Sequence, residues 1–346
     1  LAITDHGNMF GVPEFVIEAK NNEIKPIIGC EFYLANGSHI ERPNRIHADN
    51  AEKSIFHQIL LAKNKIGYKN LSKLCSFGYI DGFYYKPRID KDLIREHCEG
   101  LIATTCCLAS EINQAILSKG EDDAEKLFLE WLDIFGQDYY IELQRHGIDE
   151  QDRCNEVLLK WAEKHRVKVI ATNDVHYIEA KDSKAQDILL CLQTGKNYDD
   201  PNRMRFNGDQ FFLKSKEEMA ELFKDLPEAL DNTNEIVDKI ETPDLKRDIL
   251  LPIFVLPEGI SSEDDYLRQL TYEGAKSRFP NMTVEIKERI ELELGIIKDM
   301  GFAGYFLVVQ DFVMAAKELN VSVGPGRGSA AGSIVPYWPF SAKIYP

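Results

Sequence analysis

The chain has 346 residues, 44% of them hydrophobic and 28% charged, a globular composition with room for two domains. Its 57 acidic against 41 basic residues leave a formal charge of −16, which argues against a small module that coats nucleic acid with a basic face. No run approaches the ~18–20 apolar residues that cross a bilayer, so no membrane role is expected.

The chain opens on L-A-I-T-D-H-G, without Met or an apolar leader, and is read as a cut end. Five short apolar runs then each lead into side chains able to bind a metal or move a proton. Residues 1–3 lead into Asp5 and His6, and 26–28 lead through Gly29 into Cys30 and Glu31. Residues 101–103 lead into Cys106 and Cys107, 139–143 into His146, and 167–171 into Asp174 and His176. Helical periodicity lies between them, over 14–21, 123–135 and 152–165. This alternation predicts parallel strands with helical crossovers, curled into a barrel-like sheet with its chemistry on one face.

The polar stretch 36–54 lacks periodicity and reads as a loop, with His39 and His47 as solvated side chains. His57, in F-H-Q-I-L-L-A-K-N, reads by itself as a packed helix residue. His97 and His165, on polar helical stretches, read as structural. The seven Cys are irregularly spaced, which fits a reducing cytoplasm better than a disulfide framework. Pro243, Pro252 and Pro257 punctuate a boundary over 241–262, dividing the chain into domains 1–250 and 251–346. Beyond it, helices are predicted over 262–279 and 284–300, the second closed by Gly301. A short strand over 321–323 should precede a glycine loop.

Asp174-Val175-His176, on an extended strand, would present a carboxylate and an imidazole on one face. Gathered with His6, Glu31 and His57, they form a set suited to Zn²⁺, Mn²⁺ or Fe²⁺. Several ions at one barrel mouth would suit phosphoester hydrolysis. Cys107 is a small buried hydrophobe by residue type, or a thiolate ligand if a cation lies near. In V-G-P-G-R-G-S-A-A-G-S, Gly324, Gly326 and Gly328 let the backbone approach a ligand closely. Arg327 adds a planar cation, and Ser329 a hydroxyl near a helix start, so the loop reads as a polyphosphate cradle, with a tight structural turn as the alternative. It matches neither the P-loop nor the dinucleotide pattern.

T-D-H-G-N-M-F-G, K-P-I-I-G-C-E-F-Y, F-H-Q-I-L-L-A-K-N, Y-Y-K-P-R-I-D, T-C-C-L-A-S-E-I, E-L-Q-R-H-G-I, T-N-D-V-H-Y, R-F-N-G-D-Q-F-F-L-K and the glycine loop occur in this order. Together they resemble the family of bacterial replicative DNA polymerase III alpha subunits, the C-family DNA polymerases. The resemblance implies a polymerase-and-histidinol-phosphatase (PHP) domain over 1–250, an α/β fold built as a distorted (β/α) barrel. Linker helices and the partial α+β start of a polymerase palm would follow over 251–346.

By the same resemblance the barrel's metal ligands are His6, Glu31, His57, Cys107, Asp174 and His176, with Asp5 behind them and His146 not among them. Further ligands, including an H-x-H pair, belong upstream of T-D-H. The nucleotide triphosphate would be gripped by Gly326, Arg327, Gly328 and Ser329. Implied cofactors are Zn²⁺ or Mn²⁺ in the PHP domain and Mg²⁺ on palm carboxylates expected further downstream.

The implied activity is DNA-directed DNA synthesis on primer-template DNA from dNTPs in the cytoplasm, with 3′–5′ exonuclease action by the PHP domain. Implied partners are the sliding clamp, a proofreading exonuclease and the clamp loader. Two alternatives are a free-standing PHP-type metallophosphoesterase, which the glycine loop and the helices after 262 count against, and a metal-stabilised scaffold that binds partners. After Val335 the segment P-Y-W-P-F-S-A-K-I-Y-P departs from the family, and Pro336 and Pro339 are expected to break the helix there.

Overall fold

The apolar runs of the first half become strands because each is flanked by turn formers and has a hydrophobic face to bury. The structure, a computed structural model, describes residues 1–42, 55–245, 250–324 and 332–337. The chain divides into two units, Leu1–Leu245 and Lys246–Pro346, and the division falls in the Pro-punctuated stretch.

In the first unit the strands are β1 (Ala2–Ile3), β2 (Ile27–Ala35), β3 (Ile55–Ala62), β4 (Phe83–Tyr84), β5 (Lys86–Ile89), β6 (Leu101–Thr104), β7 (Tyr139–Leu143) and β8 (Val169–Ala171). They form one sheet in the order β4-β5-β2-β3-β6-β7-β8, with β1 paired to β2. The pairs β1/β2, β2/β5, β6/β7 and β7/β8 are parallel, as expected. The pairs β2/β3, β3/β6 and β4/β5 are antiparallel, so the sheet is mixed rather than all parallel.

Two local expectations fail for one reason. The stretch around His57 is strand β3, not a helix, and β2 runs past Glu31 to Ala35 instead of ending at it. Their ladder, from Gly29 opposite Leu61 to Ala35 opposite Ile55, offers every backbone group a partner. A short apolar run has no decisive period of its own, so this long pairing decides it.

Helices α1 (Val12–Asn21), α2 (Lys65–Ile80), α3 (Lys91–Glu96), α4 (Glu111–Ser118), α5 (Glu121–Phe135), α6 (Asp149–His165), α7 (Ser183–Thr194), α8 (Lys216–Leu222) and α9 (Glu228–Lys239) complete the unit. The predicted helices correspond to α1, α5 and α6, each starting two or three residues earlier than the periodicity showed. Acidic first turns, such as Glu121-Asp122-Asp123 of α5 and Asp149-Glu150 of α6, favour those earlier starts. Phe128 and Trp131 of α5 and Leu158 and Trp161 of α6 are buried in one cluster with Tyr139 and Ile141 of β7.

His39 is not solvated. Its Nδ1 lies 2.5 Å from Asp90 Oδ2 and its backbone N–H donates to the same oxygen at 2.9 Å. Asp90 also caps α3, its Oδ1 accepting from Leu93 N at 3.0 Å. Burial opposes the Asp90 charge, but these donors hold its carboxyl below the ordinary value. Asp90→Ala should therefore destabilise the first unit by about 1–2 kcal/mol at pH 7, the cost of a lost cap. Because the folded group titrates below its unfolded value of 3.8, its contribution is present above that pH and disappears as pH falls. Urea midpoints at pH 7 and pH 3 check this: the wild-type advantage should shrink at pH 3.

The described part of the second unit is helical: α10 (Glu263–Arg278), α11 (Val284–Asp299), α12 (Ala303–Glu318) and the single turn α13 (Ile334–Tyr337). Leu267, Ala275, Ile290, Leu294, Ile297, Ala303, Leu307 and Val335 form its core. Gly301, at φ +69°, closes α11 as expected. Residues 321–323 form no strand; an isolated β-branched run with no partner strand has nothing to pair with. Pro336 does not prevent α13, because within a first turn its missing N–H is not needed. Pro339 lies outside the described residues.

Candidate metal centre

Five elements deliver the six expected ligands. β1 leads to His6, which bridges Glu31 of β2 in parallel register. Gly7 N donates to Glu31 O at 2.8 Å and Glu31 N to Asp5 O at 3.0 Å, so the T-D-H-G turn is laced onto β2. Asp5 thus acts on the centre through its carbonyl. On β3, His57 stands opposite Tyr33 of β2. Its N–H donates to Ala109 O at 3.1 Å, which ties down the turn that carries Cys107 after β6. That turn is sharp, with Cys106 at φ +60°.

Glu31 is the hub. One oxygen lies 3.0 Å from His6 Nδ1 and the other 2.8 Å from His57 Nδ1. Cys107 Sγ lies 3.4 Å from Glu31 Oε1 and 3.6 Å from His57 Nδ1. His176 arrives from beyond β8, its ring centroid 5.7 Å from that of His6. From β2 to β8 is four strand steps, roughly 19 Å across a flat sheet, so this contact requires the sheet to curl.

Asp174 and His176 do not face the site as alternate residues of a strand. They follow β8 in a loop, with Asp174 at φ +43°, and His176 Nδ1 sits 2.7 Å from the Asp174 carbonyl oxygen. Glu142 of β7 positions both distant loops from beneath. Thr104, at the end of β6, donates to Glu142 Oε2, and Thr172, just past β8, donates to Oε1 at 2.6 Å.

Electrostatics follow from this crowding. Burial opposes a charge on Glu31, yet the hydrogen bonds from His57 and His6 hold its carboxyl far below the ordinary range. Burial also pulls His57 down, but its bonds to Cys107 and Glu31 push it up to about 10. Asp174 is raised, first by burial and then by the Glu31 charge. Burial likewise raises Glu142. An anion and imidazoles held this close form a site arranged for a cation.

The donor set fits a metal. One donor atom each from His6, Glu31 and His57 lie within 4.8 Å of one another, as do those of Glu31, Cys106 and Cys107. Ligands at ~2.0–2.3 Å from a shared ion have that spread. Mixed imidazole, carboxylate and thiol donors suit Zn²⁺ or Mn²⁺ better than Ca²⁺.

Cys106, one of the side chains expected at a strand end, places its Sγ 3.7 Å from Glu31 Oε1. Residue-type reasoning missed two aromatic neighbours. Tyr33 places its ring 5.5 Å from His57 and 6.1 Å from His6, and its position two residues beyond Glu31 on a strand was the available signal. Phe206, 4.4 Å from the His176 ring, lay in the family block R-F-N-G-D-Q-F-F-L-K, but 30 residues of separation gave no hint of this contact. His146, not among the expected ligands, has its Nε2 3.0 Å from Asn173 O and its ring stacked on Phe211 at 4.0 Å. His165 pairs with Glu125 at 2.5 Å and His97 stacks on Phe77 at 5.5 Å. Both are structural, as their context suggested.

Gly326, Arg327, Gly328 and Ser329 lie outside the described residues, as does His47. What is described is the far side of that loop. Glu293 of α11 accepts from Ser333 Oγ, Ile334 N and Val335 N at 2.5, 2.8 and 3.1 Å. A buried carboxylate thus caps α13 and anchors the segment that leaves the glycine loop.

Residues 1–146 match the family model described as the PHP domain, and residues 265–346 match that described as the Bacterial DNA polymerase III alpha NTPase domain. The first match includes His6, Glu31, His57 and Cys107. Over 97% of its length the chain is similar to proteins named DNA polymerase III subunit alpha. Identity is 47% to that of Borreliella burgdorferi, 44% to that of Treponema pallidum and 40% to that of Thermus aquaticus. The chain spans 29%, 28% and 32% of those proteins, about three-tenths of each. Among the described residues, no helix is long and apolar enough to cross a membrane.

Proposed function

The chain belongs to the DNA polymerase III alpha-subunit family, and from that premise we propose that it serves cytoplasmic DNA replication in two parts. Its first 250 residues are a PHP domain acting as a metal-dependent phosphoesterase on DNA 3′ ends. Residues 251–346 begin the polymerising machinery, with Gly326, Arg327, Gly328 and Ser329 holding the triphosphate of a dNTP. Primer-template DNA, the sliding clamp, a proofreading exonuclease and the clamp loader are the partners of that role, with Mg²⁺ serving nucleotidyl transfer.

The observation that carries the phosphoesterase reading is the convergence on Glu31 of imidazoles and thiols from β1, β3 and the loop after β6. His6, Glu31, His57, Cys107, Asp174 and His176 would hold Zn²⁺ or Mn²⁺, which when bound polarises a phosphate ester and supplies a nucleophile at neutral pH. The residues do the remaining work. Glu31 orients two imidazoles at once. Glu142 fixes the loops of Cys107 and Asp174. Tyr33, whose phenol burial and the Glu31 charge push up to about 12, stays protonated at the rim and can donate to a phosphate oxygen.

Digestion of 5′-labelled single-stranded DNA by the full-length protein, without dNTPs and in Mn²⁺ or Zn²⁺, tests this. Loss of 3′ nucleotides is expected, reduced at least ~100-fold by His176→Ala, with the metal partly lost. Metal retained without digestion would leave the scaffold role instead, and neither metal nor digestion would remove both.

A further inference from the structure

We propose that a cleft beside His176 is a subsite for one nucleotide of a single-stranded nucleic acid, and that it presents the adjoining phosphodiester to the metal centre. This rests on the phosphoesterase reading and names where its substrate binds. The cleft, of about 250 Å³, lies between Tyr177, the start of α7 (Ser183, Lys184, Asp187) and the 198–208 loop (Tyr198, Arg205, Phe206). Drug-sized pockets run ~300–1,000 Å³, so this one holds a single nucleotide unit and no duplex.

Its link to the centre is direct. Phe206 lines the cleft and packs on the His176 ring at 4.4 Å, while Tyr177 is the next residue in the chain. The wall also carries the two features that single strands need, a ring for stacking and cations for the backbone. Tyr198 is 47% exposed, although the Arg203 guanidinium lies 4.7 Å from its ring centroid.

The charges in the wall are not equivalent. Asp187 is neutralised by a bidentate pair with buried Arg203, both contacts at 2.5 Å. Lys184 and Arg205 are exposed, and neither has an ion pair among the described residues. Arg205 commits one nitrogen to the Tyr198 carbonyl at 3.1 Å, which aims the guanidinium and leaves its other donors for phosphate. On a chain of net charge −16, two unpaired cations flanking an open aromatic ring beside a metal centre are an attractive patch on a repulsive background.

The test is fluorescence anisotropy of 5′-fluorescein-dT10 with the 346-residue chain in EDTA, so that no hydrolysis occurs. Lys184→Ala/Arg205→Ala should weaken binding at least tenfold and reduce the salt slope by about 1.4, two contacts at ~0.7 each. Tyr198→Ala should weaken it about fivefold or more. Lys126→Ala/Lys160→Ala, an equal charge change on distant helices, should bind like wild type. Thymidine 5′-monophosphate should displace the probe at lower concentration than inorganic phosphate.

Wild-type binding by the cleft variants, no binding by the wild-type chain, or equal displacement by phosphate would overturn the subsite. Metal content separates this from the phosphoesterase reading. The cleft variants should retain metal, whereas Asp174→Asn should lose metal yet bind dT10 in EDTA as wild type does. Loss of dT10 binding in Asp174→Asn would place the probe at the ligands instead and overturn the cleft.

Discussion

Glu31→Gln should weaken retention of Zn²⁺ or Mn²⁺ by at least ~100-fold, more than the loss expected for an outer partner of a ligand. The side chain is small but central: both its oxygens are engaged by imidazoles, at 3.0 and 2.8 Å, and one also faces the Cys107 thiol. An amide keeps the volume while removing the anion and one acceptor. The surrounding β2/β3 ladder is made by backbone groups and should persist. Circular dichroism unchanged at 25 °C, together with metal content falling to background after dialysis, is the expected pair of results. Retention of a full complement of metal would mean that the hub is only a hydrogen-bonding acid.

Gly67→Ala should destabilise the first unit by about 3 kcal/mol, at the upper end of the range for overpacking. Helix propensity alone predicts the opposite sign, a gain of ~1 kcal/mol. The reason is a close approach: a methyl group on Gly67 would stand 1.9 Å from the carbonyl oxygen of Gly100. That oxygen already accepts from Lys63 N at 2.8 Å, and Gly100 is at φ +73°, so the backbone has little room to yield. Gly100 immediately precedes β6, whose far end carries the Cys107 turn. A fall in the urea midpoint of the first transition checks the sign, and an unchanged or raised midpoint would contradict the packing.

The alternation of apolar runs and helical periods was enough to expect a curled α/β sheet with polar chemistry along one face. It placed β7 to the residue, and α1, α5 and α6 to within two or three. It was not enough for β3. I-F-H-Q-I-L-L-A is short and apolar, and only its partners β2 and β6 distinguish a strand from a buried helix turn. Without that pairing, antiparallel crossings could not be foreseen either.

The candidate site was expected as residue types and, through family resemblance, as six positions, of which the structure brings His6, Glu31, His57 and Cys107 together with His176 beside His6. The way they meet was not. Asp174 and His176 converge through a left-handed loop residue rather than the pleat of a strand, and no local pattern announces such a turn at a non-glycine position. His39 was misread because its partner Asp90 is 51 residues away. Glu142 stood in the family block E-L-Q-R-H-G-I without a role of its own, since one acid in D-Y-Y-I-E-L is ordinary until Thr104 and Thr172 close over it.

The most direct test of the converging centre is anomalous diffraction from crystals of this chain grown with Zn²⁺ and measured at the zinc edge. A peak within bonding reach of the His6 and His57 imidazoles, the Glu31 carboxylate and the Cys107 sulfur is the expected result. Saturating zinc with no density among those side chains, or density only at surface carboxylates, would contradict it.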